Sequence, residues 1–200
     1  MSSKVQYPRE LIDKIWAELH PLLAPFCQTV YIGNDEEELG LKLCGSHRRG
    51  KQNCGDMDIV YVSKQGPACP AGELIPQENQ ILADLVIGNL IQTGVLDYRR
   101  NVRGVSTYGV WNKLMLHVAT GVPIDFYRAT PASYSNLVLC RTGSAEHNII
   151  LADAAIAKGW KWQPTAKFPG FQDGYVQIPI DNDRHAFELL GLDYKSPEER

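Results

Sequence analysis

Residues 45–61 read GSHRRGKQNCGDMDIVY, and the end of this segment has the composition of a β-strand. Residues 57–62 are mostly β-branched or apolar, and Gly55 in front of them indicates a tight turn. Asp56 and Asp58 lie two positions apart, so both carboxylates project from one face of the strand, with backbones about 6.6 Å apart. Because like charges this close repel each other, a bridging cation is their natural partner.

The start of the same segment has the features of a phosphate-binding turn. The Gly45-Ser46 pair follows a predicted strand and is expected to open a helix or a tight turn, where backbone amides and the serine hydroxyl can hold phosphate oxygens. Arg49 would add a bidentate phosphate contact. Carboxylate ligands favour magnesium or manganese over zinc. The segment therefore predicts metal-assisted phosphoryl transfer.

A third carboxylate is needed to complete such a metal site and to accept the proton of an attacking hydroxyl. Asp125 is the best candidate, because it lies in the apolar segment VPIDFY at 122–127, where a lone carboxylate would be costly. The alternative is an exposed aspartate at a sheet edge.

The composition of the chain bounds its class. The 200 residues are 44% hydrophobic and 22% charged, which predicts a folded protein of one domain or two small subdomains. No apolar run approaches the roughly 18 residues of a membrane span, and the N-terminus lacks a signal peptide. We therefore expect a monomer in the cytoplasm or at the nucleoid, with no membrane partner. The net charge of −3 argues against strong non-specific nucleic-acid binding through overall charge, although the basic clusters at 48–51 and 99–103 can contact phosphates.

The five cysteines are scattered and odd in number, which is typical of reduced thiols. Cys44, His47 and Cys54 form the one arrangement that would suit zinc, and a fourth ligand is missing nearby.

Hydrophobic periodicity predicts an α+β fold: a mixed or antiparallel sheet with helices on one face, followed by a smaller helical region. A Pro- and Gly-rich stretch at 164–174 interrupts the second region. Helices are predicted at 8–23, 77–91, 134–141, 145–158 and 184–190. Strands are predicted at 30–32, 41–44, 57–62, 96–98, 105–110, 115–118 and 122–127.

Three motifs occur in order along the chain. The first is Gly-Ser-x-Arg-Arg-Gly followed by Gly-Asp-Met-Asp at 45–58. The second is Thr142-Gly143-Ser144, with Asn148 four residues beyond Ser144, and the third is the C-terminal segment at 189–200. Together they resemble the motifs of the family X DNA polymerases, the relatives of DNA polymerase β. Gly-Ser with Asp-x-Asp is common to many nucleotidyltransferases, whereas the three motifs in this order are much more specific.

The resemblance implies a nucleotidyltransferase palm at 1–130, a nucleotide-selecting thumb at 131–200, and two magnesium ions, replaceable by manganese, held by Asp56, Asp58 and Asp125. The primer 3′-hydroxyl would attack the α phosphate of a dNTP on gapped or primer-template DNA. Ser46 and Arg49 would hold the β and γ phosphates, and Asn148 would touch the minor-groove edge of the base. The expected nucleotide-binding residues are Gly45, Ser46, Arg49, Gly55, Thr142, Gly143 and Asn148. The expected DNA contacts are Arg48, Lys51, Arg99 and Arg100, with Arg103 beside them.

The chain departs from the family pattern in several places. Cys140 and Arg141 replace the usual aromatic pair beside the sugar, which weakens the expected exclusion of ribonucleotides. Ala145 and Ala152 stand where many relatives carry polar or basic groups, and Pro123 replaces a basic residue, so we expect poor template fidelity. About 44 residues precede Gly45, which is too few for the fingers or lyase domain of larger relatives.

Three functions follow from these motifs. The first is DNA-templated nucleotide addition in short-gap repair. The second is template-independent nucleotide transfer to a nucleic-acid end, a protein or a small molecule. The third is a binding protein without catalysis, which the three carboxylates and Ser46 disfavour.

Overall fold

The helices of the chain arise where apolar residues recur every three to four positions. In a computed structural model, which describes residues 5–69, 77–100 and 104–200, the predicted helices at both ends of the chain are confirmed within one or two residues. The α-helices are α1 (Arg9–Leu23), α2 (Gly45–Arg48), α3 (Leu82–Gln92), α4 (Tyr134–Thr142), α5 (Ala145–Ala157) and α6 (Asp183–Leu190). Within these ranges, no helix is both long enough and apolar enough to cross a bilayer.

The strands are short and form one main sheet and several small ones. They are β1 (Tyr7–Pro8), β2 (Thr29–Tyr31), β3 (Glu37–Leu39), β4 (Leu41–Leu43), β5 (Asn53–Cys54), β6 (Met57–Tyr61), β7 (Gln65–Ala68), β8 (Gln77–Ile81), β9 (Leu96–Tyr98), β10 (Asn112–His117), β11 (Pro123–Arg128), β12 (Lys161–Trp162), β13 (Gly170–Asp173) and β14 (Val176–Pro179).

The main sheet has the order β4-β6-β11-β10-β9. Strands β9, β10 and β11 pair antiparallel, whereas β6 pairs parallel with β11 and antiparallel with β4, so the sheet is mixed. Since side chains alternate between the two faces of a strand, β6 contributes buried side chains to both faces of the sheet. Met57, Ile59 and Tyr61 pack under α1 and α3, and Val60 packs under α4.

The two faces of the sheet are therefore covered by helices from different parts of the chain. Helix α1 buries Ile12, Ile15, Leu19 and Leu23 on the first face, together with α3. On the second face, Tyr134, Leu137 and Val138 of α4 cover Val60 and Tyr127. Fully burying one such aliphatic side chain contributes about 1.5–3 kcal/mol. Asp58 and Asp125 lie on the second face, because each is two positions from a residue that α4 covers.

The last third of the chain has its own core. Helices α4, α5 and α6 pack against the small sheet β12-β13-β14, with Leu139, Leu151, Phe171 and Phe187 buried between them. Strand β13 lies in the stretch predicted as a Pro- and Gly-rich interruption. Gly170 begins this strand, since a side chain at this position would press against the backbone of the neighbouring strand β14.

Two predicted elements are wrong. The helix predicted from residue 77 begins at Leu82, because residues 77–80 lack apolar side chains and instead extend as β8 against β7. The strand predicted at 105–110 is absent from the described residues 104–110, which make only isolated bridges through Ser106 and Tyr108. Gly109 turns the chain there, and its N–H donates to the Asn112 carbonyl at 2.8 Å.

Candidate active site

The candidate site lies on the α4-covered face of the main sheet, where residues from adjacent strands stand side by side. Asp58 of β6 is the register partner of Asp125 of β11, and Asp125 is in turn the partner of Leu114 on β10. Paired residues on neighbouring strands point to the same face, about 5 Å apart. Asp125 is therefore buried in the middle of the sheet, which excludes the alternative of an exposed edge aspartate.

Both oxygens of Asp125 already have partners. Arg99 Nη2 forms an ion pair with Oδ1, and the Tyr127 hydroxyl donates to Oδ2 at 3.3 Å. Desolvation by burial raises the pKa of the Asp125 carboxyl; Arg99 opposes this shift, whereas the nearby charge of Asp56 adds to it. Among the described residues, no three His, Cys, Asp or Glu side chains are arranged to hold a metal ion, and a guanidinium stands beside Asp125.

The turn after β4 is fitted closely to Asp58. The Cys44 N–H donates to the Asp58 carbonyl at 2.7 Å, and Gly45 begins α2 with a φ of +62°. A Cβ on Gly45 would collide with Asp58 Oδ2. Glycine is needed here for both reasons: its conformation is left-handed, and the carboxylate occupies the space of a side chain.

A cavity of about 480 Å³ opens beside this turn and between the two halves of the chain. The predicted residues that line it are Gly45, Ser46, Arg49, Lys51, Gly55, Asp56, Asp58, Gly143 and Asn148. Cys140, Arg141 and Ala145 complete the wall from the thumb side. The structure thus brings together most of the predicted nucleotide-binding residues and two of the three predicted metal ligands.

The wall of this cavity contains polar atoms whose hydrogen-bonding capacity is unused. Ser46 Oγ, Arg49 Nε, Arg141 Nε and Asn148 Oδ1 are buried and find no hydrogen-bond partner in the part of the chain that the structure describes. Since buried polar atoms in folded proteins are nearly always paired, these four atoms are available to bind water or a polar ligand. The serine hydroxyl and the arginine N–H can donate to a phosphate, and the asparagine Oδ1 can accept from a nucleobase.

The cavity wall also joins the two halves of the molecule. Arg49 Nη1 donates to the Thr142 carbonyl at the end of α4. The Arg141 guanidinium carbon lies 3.8 Å from the centre of the Tyr127 ring, and this cation–π contact joins α4 to β11. Within the last third of the chain, Asn148 Nδ2 donates to the Cys140 carbonyl at 2.9 Å.

The predicted DNA-binding residues lie in four different environments. Arg48 Nη1 donates to Asp183 Oδ2 at 2.9 Å and to Thr142 Oγ1 at 2.6 Å, so this guanidinium joins α2 to the thumb. Lys51 lines the cavity and Arg100 is exposed at the sheet edge. Arg99 lies in the site itself, and Arg103 lies outside the described residues.

Sequence reasoning missed Arg99, Tyr127 and Arg141 as neighbours of the carboxylates. Tyr127 carries a recoverable signal, because it lies two positions after Asp125 and must point to the same face of the strand. Arg99 carries none, since its proximity to Asp125 depends on the order of three strands.

Comparisons with known proteins agree with this geometry. The model of the DNA polymerase beta palm matches residues 27–110, and the model of the DNA polymerase beta thumb matches residues 137–200. The chain is similar to a DNA polymerase lambda of Arabidopsis thaliana, with 26% identity over 169 residues, and to a DNA polymerase lambda of Rattus norvegicus, with 27% identity over 170 residues. Each match covers 78% of this chain but only 31% and 28% of the respective relatives.

Proposed function

Because the chain belongs to the family X DNA polymerases, with a palm and a thumb of the DNA polymerase beta type, we propose that it transfers a deoxynucleoside monophosphate from a dNTP to a primer 3′-hydroxyl. Short-gap DNA repair is the proposed use. The observation that carries the proposal is the paired carboxylates of Asp58 and Asp125 beside a cavity with unpartnered polar atoms of Ser46, Arg49 and Asn148.

Family X polymerases depend on divalent metal ions, and the residues of this site fit such ions. Asp56, Asp58 and Asp125 supply the hard oxygen ligands that Mg²⁺ and Mn²⁺ prefer. Because residue 45 is glycine, Asp58 Oδ2 can lie where a side chain would otherwise stand, directly against the predicted phosphate-binding turn. We propose that these three aspartates hold two Mg²⁺ ions, replaceable by Mn²⁺. When bound, the metal neutralises phosphate charge and favours ionisation of the primer hydroxyl.

The other residues would position the substrates. Ser46 and Arg49, supported by Gly45 and Gly55, would hold the β and γ phosphates, because a hydroxyl and a guanidinium at one end of the cavity match two adjacent anionic groups. Gly143 and Asn148, which line the cavity, would fix the sugar and base. Thr142 lies beside them with its hydroxyl buried against Arg48 and Val138, and would support Gly143. Asp125 would accept the proton of the primer hydroxyl.

We assign residues 1–130 to the palm and 131–200 to the thumb. Thr130 and Ser133 cap the short 3₁₀ turn Pro131–Ser133 at this junction by reciprocal hydrogen bonds.

The partners in this proposal are DNA and a dNTP, bound by a monomer in the cytoplasm or at the nucleoid. Exposed Arg100 and Lys51 are the proposed phosphate contacts, whereas Arg48 would act by holding the thumb against the palm.

The decisive test is incubation of the protein with Mg²⁺ and labelled dNTPs on gapped, nicked, open and single-stranded DNA. Extension of the gapped primer by the templated nucleotide is expected. If folded protein extends no substrate with either Mg²⁺ or Mn²⁺, the proposal is wrong.

A second function, template-independent transfer, is favoured by the outer face of α5. Ala145, Ile149, Ala152 and Ile156 follow one another at helical spacing, and Ile149 and Ile156 are 60% and 66% exposed. This face begins at the cavity with Ala145, and the four named side chains cannot hydrogen-bond to a templating base. Addition of the same nucleotide whatever the template base would support this second function over the first.

Replacement of Gly45 by alanine is expected to reduce nucleotide transfer by more than about a hundredfold. The left-handed backbone costs about 1–2 kcal/mol for an alanine, and the new methyl group displaces Asp58 as well. Gly94→Ala is the matched control, because Gly94 has a φ of +75° and no atom within 4 Å of the added Cβ. Urea unfolding should show the backbone cost in both variants and a further loss from the collision with Asp58 in Gly45→Ala, while transfer falls only for Gly45→Ala. Equal transfer by the two variants would contradict the role of this contact.

Replacement of Cys140 by tyrosine is expected to lower the efficiency ratio of ribonucleotide to deoxyribonucleotide incorporation by about tenfold. Cys140 lines the cavity and leaves room for a 2′-hydroxyl that a ring would fill. The ratio is measured with matched rNTP and dNTP on gapped DNA, and Cys140→Ser should leave it unchanged. A strong preference of the unmodified protein for dNTPs would mean that another part of the cavity excludes the hydroxyl.

A further inference from the structure

In the main sheet, Arg99 lies in line with Asp125 and Asp58 on neighbouring strands. The Arg99 N–H donates to the Leu114 carbonyl at 3.0 Å, directly after Tyr98 pairs with Met115. Leu114 pairs with Asp125, and Asp125 pairs with Asp58. Arg99 and both aspartates therefore face the same side of the sheet, and the long arginine side chain crosses β10 to reach Asp125.

This ion pair occupies the oxygen that a metal ion would use. Arg99 takes Asp125 Oδ1, and the Tyr127 hydroxyl takes Oδ2. Two neighbouring carboxylates without a counter-charge repel each other, so a cation is needed here whether or not a metal is bound. An arginine and a divalent cation compete for Oδ1, because each weakens the binding of the other through the repulsion of their positive charges.

We propose that Arg99 is a positioning residue of the catalytic centre: it neutralises and holds Asp125 in the metal-free protein, and a divalent cation displaces it. This inference rests on the proposed function, since it takes Asp125 as a metal ligand. The affinity of the site for metal is then set by competition with the protein's own guanidinium, and Arg99 is not a DNA contact.

The contacts of Arg99 are suited to such an exchange. The guanidinium reaches Asp125 through Nη2, while Arg99 Nε is buried and has no hydrogen-bond partner within 5–69, 77–100 and 104–200. The side chain is 28% exposed, compared with 12% for that of Asp125. A guanidinium that is partly satisfied and has a route to solvent can leave at a lower cost than a fully bonded one.

The experiment is a calorimetric titration of the full chain with Mn²⁺, without DNA or nucleotide. Arg99→Gln is expected to lower the Kd for Mn²⁺ by about tenfold, because the competitor is gone. Arg100→Gln is the matched control: it removes the same charge one position away, from an exposed side chain, and is expected to change the Kd by less than twofold. An unchanged or weaker Mn²⁺ affinity in Arg99→Gln, or an equal gain in Arg100→Gln, overturns the proposal.

Two further variants give the test its specificity. In an Asp125→Asn background, Arg99→Gln should bring no gain, since the double-mutant cycle removes the contact from both sides. Arg99→Lys keeps the charge without the planar fork and should give a Kd between those of the unmodified protein and Arg99→Gln. If circular dichroism shows that Arg99→Gln is unfolded, Arg99→Lys takes its place in the test. An unchanged Kd in Arg99→Lys would then count against the proposal.

The outcome is separable from that of the proposed function. Tighter Mn²⁺ binding by Arg99→Gln, in a protein that extends no primer, would leave this inference standing and remove the polymerase. Primer extension together with the same Mn²⁺ affinity in all variants would support the polymerase and overturn this inference.

Discussion

Asp58→Asn is expected to lower the single-turnover rate of nucleotide transfer by about a thousandfold. The asparagine keeps the size of the side chain but removes the charge that would hold a metal, a contribution of about 4 kcal/mol to the reaction barrier. Asp58 lies between the Gly45 turn and Asp125, so no other carboxylate on its own strand can take its place on this side. Comparable losses are expected for Asp56→Asn and Asp125→Asn.

Rapid-quench measurements at saturating dNTP and Mg²⁺ give this rate directly. Asp97→Asn is the matched control: Asp97 is an exposed aspartate on β9 of the same sheet, and the rate should stay within twofold of that of the unmodified protein. Circular dichroism would establish that each variant is folded. A rate for Asp58→Asn within tenfold of normal would exclude the three aspartates as the metal-binding group.

Asp183→Asn is expected to destabilise the protein by about 3 kcal/mol. Asp183 begins α6, and its side chain is 8% exposed. One of its oxygens, Oδ2, lies 2.9 Å from Arg48 Nη1 and 2.9 Å from Arg200 Nη1, although the second contact is not aligned as a hydrogen bond. The Arg200 side chain is fully buried. Removing the shared anion leaves two cations without a counter-charge, which commonly costs 3–5 kcal/mol.

Urea unfolding, followed by tryptophan fluorescence, measures this loss. Asp153→Asn is the control, since Asp153 is exposed on α5, and it should change the free energy of unfolding by less than about 0.5 kcal/mol. A loss below about 1 kcal/mol in Asp183→Asn would mean that the two arginines find other partners or water. Because Arg48 belongs to the palm and Asp183 to the thumb, the same variant tests whether this cluster joins the two.

The elements that sequence reasoning recovered are those whose own residues carry a complete pattern. Helix α1 shows Ile12, Ile15 and Leu19 at helical spacing, and β6 alternates its large apolar residues with Asp58. Strand β13 was not predicted, because its pairing with β14 depends on tertiary contact. The glycine and prolines of this stretch argue against a strand. The helix predicted at residues 77–81 is wrong, because the helical pattern begins only at Leu82.

The candidate site was predictable up to the identity of its ligands. Asp56, Asp58 and the Gly45 turn are local in sequence, and Asp125 follows from the cost of a carboxylate in an apolar strand. What the sequence does not contain is the register that aligns Arg99 with Asp125, or the packing that draws Arg48 away from the surface. Long basic side chains reach several partners, so their contacts depend on strand order more than on neighbours in the chain.

The parallel pairing of β6 with β11 also has a consequence during synthesis. The ribosome completes β6 well before it makes β11, so one edge of β6 has no partner while the rest of the sheet emerges. An apolar strand with a bare edge pairs readily with the wrong chain, and a charged side chain on one face of such a strand discourages that pairing. We therefore expect that Asp58, besides its proposed part in catalysis, protects the nascent chain from aggregation until β11 arrives.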